Sequence, residues 1–406
     1  MTGTDEVPTV DFDHHSPEFA ADPWPVLADL RSRCPVAHTG AYGGFWVVTK
    51  YDDIRKIALD DVTFSSANSI TIPAKKNVGQ RSIPIETDPP MFQKYRKIMH
   101  PLFTPPAIAK LEPAIEQFAN QCIDEFIESG SCDIVHDLAD PLPALTTLHM
   151  LGLPTELWRE FSEPLHSTVF LRQDNPLRAN NTERLLWIRQ YLAEQVADRQ
   201  ANPRDDMITY LTKATIDGRP LNDIEVLEMV TLTIQGGFDT TGSAISSAVL
   251  QLDNDRASRE RLIADPSRIP VAVEEFLRYE APQFALARMA TRDVEVGGQQ
   301  IKAGEHVLLV WASGNRDEEM FDHPDRLELD RFPNRHMTFG LGAHRCLGST
   351  LARKEIIAAV RAVLARLPDY EVDRSRVVRA ETIGVTYGCF ALGATFTPGP
   401  RLDPVA

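Results

Sequence analysis

The feature that most constrains the fold is one unbroken helical pattern running from Asn222 to about Leu252. Asn222 can cap it, and Glu225 stands three residues later, as in a capping box. Its 31 residues, at a rise of ~1.5 Å each, make a rod of about 46 Å, long enough to cross the whole molecule. Other helices are expected at Pro106–Glu128, where Ile108, Leu111, Ile115, Phe118, Cys122 and Phe126 fall near helical spacing, and at Thr182–Gln200, Asp205–Ala214, Val271–Tyr279 and Ser349–Leu367. Strand signals gather towards the two ends. Gly44–Lys50 reads as a strand, and Val294–Val296 and Gln299–Ile301 flank the turn pair Gly297-Gly298. His306–Trp311 is expected to continue that sheet, and Thr382–Thr397 to form a late hairpin. The pattern predicts a mainly α chain with a small β portion (α+β), folded as one unit without a flexible linker.

Charge narrows the function. Acidic residues number 58 and basic ones 42, a formal net charge of −16 that is unsuited to phosphate backbones. No apolar run approaches the about 18 residues that a membrane span needs. Met1–Phe19 is polar and acidic, unlike an export signal, and five scattered cysteines without a CxxC pair fit a reducing compartment. A cytoplasmic protein is expected.

The most informative segment is Phe339-Gly340-Leu341-Gly342-Ala343-His344-Arg345-Cys346-Leu347-Gly348, directly ahead of an amphipathic helix. Glycines at this density let the backbone approach a flat partner closely. A cysteine before a helix start meets unpaired N–H groups and the positive dipole end, which favour thiolate and hence metal ligation. A buried structural cysteine in a glycine-rich turn is the plainer reading, but it leaves the rest of the string unexplained. The string satisfies F-G-x-G-x-[HR]-x-C-x-G and resembles the haem-binding loop of the cytochrome P-450 family of haem-thiolate monooxygenases. The resemblance implies that Cys346 is the axial ligand of haem b (iron protoporphyrin IX), with Phe339, Gly340 and Gly348 shaping the loop beneath it. Sulfur ligation donates electron density that promotes O–O cleavage. The fold it implies is the cytochrome P-450 fold, with the long central helix over the haem and the cysteine loop below. It implies a single catalytic domain over residues 1–406, its β-rich lobe mainly from 40–70, 290–312 and 380–400 and its helical lobe from the rest.

Gly236-Gly237-Phe238-Asp239-Thr240-Thr241 lies mid-way along the long helix. Two adjacent helical glycines cost about 1 kcal/mol each against alanine, so a compensating role is expected, either close helix packing or a local opening that admits water or ligand. The segment is similar to the family's oxygen-activation motif. The similarity implies that Thr240 donates to the oxygen being activated and holds a water. Asp239, about 100° round the helix, would shuttle protons from the far side.

Glu275 and Arg278 are an i, i+3 pair that, read alone, is a surface ion pair worth a few tenths of a kcal/mol. They match the family's E-x-x-R, and with Arg331 they imply a buried structural triad fixing the cysteine loop. His336 matches a family position with an implied structural role. By the same resemblance Arg96, Arg288 and His344 are cationic partners of the haem propionates, a task suited to guanidinium forks. Four before Arg96, where the family usually has histidine or another polar residue, this chain has Phe92, so one propionate contact is expected to be missing or replaced.

Such an enzyme needs two electrons and two protons per turnover, and the chain carries no G-x-G-x-x-G after a strand and no Cys₄ spacing. A separate ferredoxin with its reductase is therefore implied. Lys94, Lys97, Arg345, Arg353 and Lys354 are the candidates for a basic docking patch, with scattered solubilising charges as the plainer alternative. The family's substrate-pocket positions fall on Leu232, Gln235, Gly236, Phe284, Leu286 and Val385. They imply a small hydrophobic substrate, whether terpenoid, steroid, fatty acid or aromatic. Ser65–Ile85 is expected to cover the distal face as a mobile lid. A peroxide-driven peroxygenase and a non-enzymatic haem-binding sensor are the rival functions. A zinc site built from His336, His344 and Cys346 has only three ligands at unfamiliar spacings.

Overall fold

The long pattern forms one continuous helix, Asp223–Asn254, in a computed structural model that describes residues 8–74 and 81–402. Both halves of its capping box are made. The Glu225 N–H donates to Asn222 Oδ1 at 2.9 Å, and the Asn222 N–H donates to Glu225 Oε2 at 2.8 Å. Most of the rod is buried, and the helices Pro141–Leu151, Thr182–Ala201, Ile269–Glu280 and Ser349–Arg366 pack against it. Two glycines let neighbouring chain come close to the rod. A Cβ on Gly237 would stand 2.9 Å from Thr147 Oγ1, and one on Gly242 would stand 2.8 Å from the Ala139 carbonyl oxygen.

A five-stranded sheet runs in the order Val36–Thr39, Phe45–Val48, His306–Leu309, Leu286–Ala290, Phe64–Ser65. Among these five strands the pairing of Phe45–Val48 with His306–Leu309 is parallel and the others are antiparallel. A second sheet joins Glu371–Arg379, Cys389–Thr395 and Ser131–Asp133. Among the described residues no helix is long and apolar enough to cross a membrane.

Four local expectations change. Pro106–Glu128 is two helices, Pro105–Ala109 and Glu112–Asp124, because Pro113 has no N–H to continue the first and instead sits in the opening turn of the second. The Gly297-Gly298 hairpin forms, with φ of 54° and 78°, but as a separate two-stranded ribbon and not as a continuation of the main sheet. The strand from His306 stops at Leu309, and Trp311–Gly314 is a short helix. The late hairpin pairs Cys389–Thr395 with Glu371–Arg379, so residues 380–400 feed the second sheet.

Of the stretch Ser65–Ile85, residues 75–80 lie outside the described residues. The part before them is tethered. Ser65 and Ser66 donate to Asp88, and the Ile70 carbonyl accepts from the Ala287 N–H at 2.7 Å.

Candidate active site

The cysteine segment folds on three backbone bonds, from the Cys346 N–H to the Phe339 carbonyl at 2.7 Å, from the Gly340 N–H to the Met337 carbonyl at 2.8 Å and from the Arg345 N–H to the Gly342 carbonyl at 3.2 Å. Gly340 and Gly342 take φ of 67° and 69°, the left-handed region that glycine enters without strain. At Gly342 a side chain is also sterically shut out, since a Cβ would lie 2.4 Å from the Ala58 carbonyl oxygen. The loop is braced from the helix that follows it, Ser349–Arg366. The Arg353 guanidinium stacks over the Phe339 ring at 4.4 Å and forms a two-pronged contact with Glu274. His336 Nε2 also meets Glu274 Oε2, at 3.1 Å.

Cys346 is accessible from the open side of this loop. Its surroundings differ from the expectation of a thiolate set by the helix start. Desolvation dominates and pushes the thiol up, while the Gly348 N–H, Arg96, Arg345 and Arg353 act in the opposite direction without prevailing.

Arg288, Arg96 and the imidazole of His344 gather at this end of the loop, with His344 within reach of both arginines. Arg288 is buried at 4% exposure, donates only to the adjacent Ala287 carbonyl, and makes no ion pair among the described residues. Burial drives its pKa down to about 10, with the charge of Asp88 opposing. His344 is pushed down to about 3 by desolvation and by Arg288 and Arg96, and its Nδ1 is buried without a partner. Arg96 donates one N–H to the Arg345 carbonyl and is also depressed by burial. A buried guanidinium without a counter-ion is costly. Two carboxylates at this place would relieve all three groups, so the cluster fits the propionate edge of a haem. Phe92 makes no such contact. It is buried, and its ring packs against that of His344, with centroids 3.9 Å apart and planes tilted by 31°.

The long helix shows a second opening. Gln235 and Gly236 are exposed between the buried Ile234 and Phe238, and a Cβ on Gly236 would meet nothing within 4 Å. The glycine pair therefore divides its work, Gly237 for packing and Gly236 for open space. Leu232 and Thr240 lie one turn either side of Gly236 on the same face, and both are half-buried. Thr240 Oγ1 donates to the Gly236 carbonyl at 2.9 Å, and the helix is not interrupted there. Asp239 points the other way, is 5% exposed, and its Oδ1 lies 3.0 Å from His166 Nδ1. Burial raises its pKa, against the opposing pull of His166.

The Glu275–Arg278 pair is wholly buried, with both side chains 0% exposed. Arg278 donates to Glu275 through Nε at 2.8 Å and Nη2 at 2.7 Å, and to the carbonyls of Asn315, Pro324 and Arg326. Arg331 Nε donates to Glu275 Oε1 at 3.2 Å, and Asn334 and the Glu328 N–H complete the carboxylate's shell. This network ties the helix Ile269–Glu280 to the irregular chain that leads into the cysteine loop.

Two groups of expected residues are not brought together. Phe284 is 1% exposed and packs in the core against Phe19, Trp24 and Tyr387, so it lines no open space; Leu286 and Val385 stay half-buried. Of the five basic candidates, Lys94 pairs with Asp217, Arg353 with Glu274 and Lys354 with Glu112. Only Lys97 and Arg345 are exposed without an ion pair among the described residues.

The sequence reading passes over His166, which meets Asp239 from outside the long helix, and Asp140 and His136, which follow behind it in turn. The i, i+4 spacing of His136 and Asp140 is the only local trace of them.

Comparison with known proteins gives a consistent picture. The Cytochrome P-450 family model matches residues 181–373. Cytochrome P-450 130 of Mycobacterium tuberculosis is 33% identical over 369 residues, covering 88% of this chain and 91% of its own length. Steroid C26-monooxygenase of the same organism is 33% identical over 322 residues, covering 78% and 87%. The structure of a Mycobacterium marinum cytochrome P-450 in complex with pseudoionone superposes with a TM-score of 0.88 at 30% identity, covering 97% of this chain and 100% of that one.

Proposed function

The chain belongs to the cytochrome P-450 family, and from that membership we propose the roles of its individual residues in haem-thiolate monooxygenase chemistry. The enzyme inserts one atom of dioxygen into a hydrophobic small organic substrate with electrons from a separate redox protein. When bound, haem b supplies the dioxygen chemistry. Cys346 ligates its iron, Phe339, Gly340 and Gly348 shape the loop against it, and Arg96, Arg288 and His344 receive its propionates. The observation that carries this reading is Arg288, buried with no ion pair among the described residues, near His344, whose buried Nδ1 has no partner among them either. Residues 1–406 act as one catalytic domain, and the five free cysteines support a cytoplasmic location.

Thr240 holds a proton donor on the open face of the long helix, where its hydroxyl already bonds the Gly236 carbonyl. Asp239, behind it, carries protons inward. Thr240→Ala should still bind substrate, yet coupled hydroxylation should fall roughly tenfold or more, since loss of one desolvated donor costs up to 10²–10³ and water can partly stand in. Peroxide measured per NADH consumed should rise to match; unchanged coupling would remove the assignment and favour a peroxygenase.

The substrate is proposed to be terpenoid- or steroid-like, a choice supported by the pseudoionone complex and the steroid relative. Leu232 and Gly236 leave apolar room, and Gln235 can orient one polar group. A spin-state titration of the purified protein against terpenoids, steroids, fatty acids and aromatics tests this, and a response confined to fatty acids would reverse it. The redox partner is proposed to be an acidic ferredoxin steered by Lys97 and Arg345. Lys97→Glu should slow reduction a few-fold at low ionic strength and little once the Debye length falls below about 8 Å. Equal rates at both salt concentrations would retire the patch.

A further inference from the structure

Asp239 does not end in core. Behind it lies a line of titratable side chains supplied by two other elements. His166, from the helix Trp158–Phe170, places Nδ1 3.0 Å from Asp239 Oδ1 and 3.4 Å from Asp140 Oδ1. Its Nε2 faces the Phe390 carbonyl at 3.2 Å, and its ring is walled by Phe170 and Phe390. Asp140 Oδ2 in turn lies 3.5 Å from His136 Nδ1. The side chains of Asp239, His166 and Asp140 are 5%, 4% and 8% exposed, and the line opens at His136, at 43%. His136 also lines a surface cavity of about 330 Å³ together with Glu125, Asp137, Glu156 and Arg159.

Two backbone features make the line possible. Val135–Ala139 is a π turn, closed by the Asp140 N–H on the Val135 carbonyl at 2.8 Å, which sets His136 and Asp140 on one side. Gly242 has no Cβ to hold that turn away, since an added one would lie 2.8 Å from the Ala139 carbonyl oxygen and 3.4 Å from Asp140 Oδ1.

We propose that His136, Asp140 and His166 form a proton-uptake route from the surface cavity to Asp239. Hydrogen-bond accounting requires a stored proton. Both His166 nitrogens face acceptors in a buried site, so a neutral ring with two ionised carboxylates would leave one contact repulsive. The imidazolium donates through Nδ1 to Asp239 Oδ1 and through Nε2 to the Phe390 carbonyl, with Asp140 Oδ1 at 3.4 Å as a second counter-charge. Desolvation lowers the His166 pKa, but Asp140, Asp239 and the Phe390 carbonyl outweigh it and lift it to about 9. The spacing of His136, Asp140 and His166 would also suit a cation, but a ring donating from both nitrogens has no lone pair to ligate one.

In one pass, His166 Nδ1 gives its proton to Asp239 Oδ1, leaving a neutral ring and a carboxylic acid that can turn towards Thr240. His136, protonated from water in the cavity, passes its proton to Asp140 Oδ2. Rotation of that carboxyl presents the proton to His166 Nδ1. No electron moves, and one proton enters for each delivered. His136 sees Asp133, Asp140 and His166, and the hydrogen bond to Asp140 is the main reason its own pKa is raised.

The proposal rests on the proton-carrying role assigned to Asp239, so the test separates the two. In the ferrous carbon monoxide form of the holoenzyme, ¹⁵N imidazole resonances should show His166 doubly protonated at pH 7.5 and losing a proton as pH rises through about 9. Substrate-free NADH oxidation with a [2Fe–2S] ferredoxin and its reductase supplies the second readout. His136→Phe preserves a ring at a half-exposed position, so folding and haem content should hold. Its rate should fall about tenfold at pH 8, less at pH 6, with an enlarged solvent deuterium isotope effect, below the 10²–10⁴ of a group acting directly. His166→Asn, in protein that retains its haem, should lose more. A neutral His166 at pH 7.5 would overturn the proposal. So would an unchanged His136→Phe beside a slowed Asp239→Asn, which leaves the Asp239 assignment standing. A wild-type Asp239→Asn rate would sink both.

Discussion

Cys346→Ser, purified in the presence of haem, is expected to lose the red-shifted carbon monoxide band that sulfur ligation produces, and hydroxylation with it. The change is nearly isosteric, and the fold around Cys346 is held by groups other than its side chain. The Cys346 N–H donates to the Phe339 carbonyl, Arg353 and His336 brace the loop through Glu274, and Gly342 fits against Ala58. Secondary structure should therefore survive while the spectrum changes. A hydroxyl would have to ionise in a site where desolvation already pushes a thiol up, and an alcohol is a far weaker acid than a thiol. The reduced, carbon monoxide-treated difference spectrum is the measurement. An unshifted band identical to that of the parent protein would place the iron on another residue.

Glu275→Gln is the change with the second-largest expected effect, and it acts on stability. One carboxylate serves Arg278 twice and also receives Arg331, Asn334 and the Glu328 N–H. Removing its charge leaves the Arg278 guanidinium, 0% exposed, without its counter-ion. Breaking a buried pair in this way costs about 3–5 kcal/mol. At roughly 2 °C per kcal/mol for a chain of this size, the thermal midpoint should drop on the order of 5–10 °C. Haem content should fall as well, because the residues that Arg278 holds through their carbonyls, Asn315, Pro324 and Arg326, lead towards the cysteine loop. A midpoint and haem content equal to those of the parent would show that the network is dispensable. A surface pair would have given that result, since exposed pairs contribute about 0–1 kcal/mol.

The contrast between these two sites bears on what a sequence makes legible. Cys346 lies in a string so restrictive that its place beside three glycines and ahead of a helix needs no coordinates. The capping box at Asn222 and Glu225, the long helix it opens and the turn at Gly297-Gly298 are likewise local, set by hydrogen bonds and φ preferences within a few residues. Glu275 and Arg278, by contrast, look like any exposed helical pair until the 315–334 segment folds over them. Burial is a property of the surroundings, not of the pair.

The sequence by itself determined the helical rod, the cysteine loop and the order of the motifs, because each depends on near neighbours in the chain. Only the tertiary structure decided that Gly236 faces open space while Gly237 faces Thr147, that Phe284 is core, and that three of the five basic candidates are already neutralised. It also brought His166 to Asp239 across 73 positions and Asp140 to His166 through the gap that Gly242 leaves. Such contacts arise from the packing of separate elements, whose relative placement is set by the summed burial of many side chains and leaves no periodic mark at the residues that happen to meet.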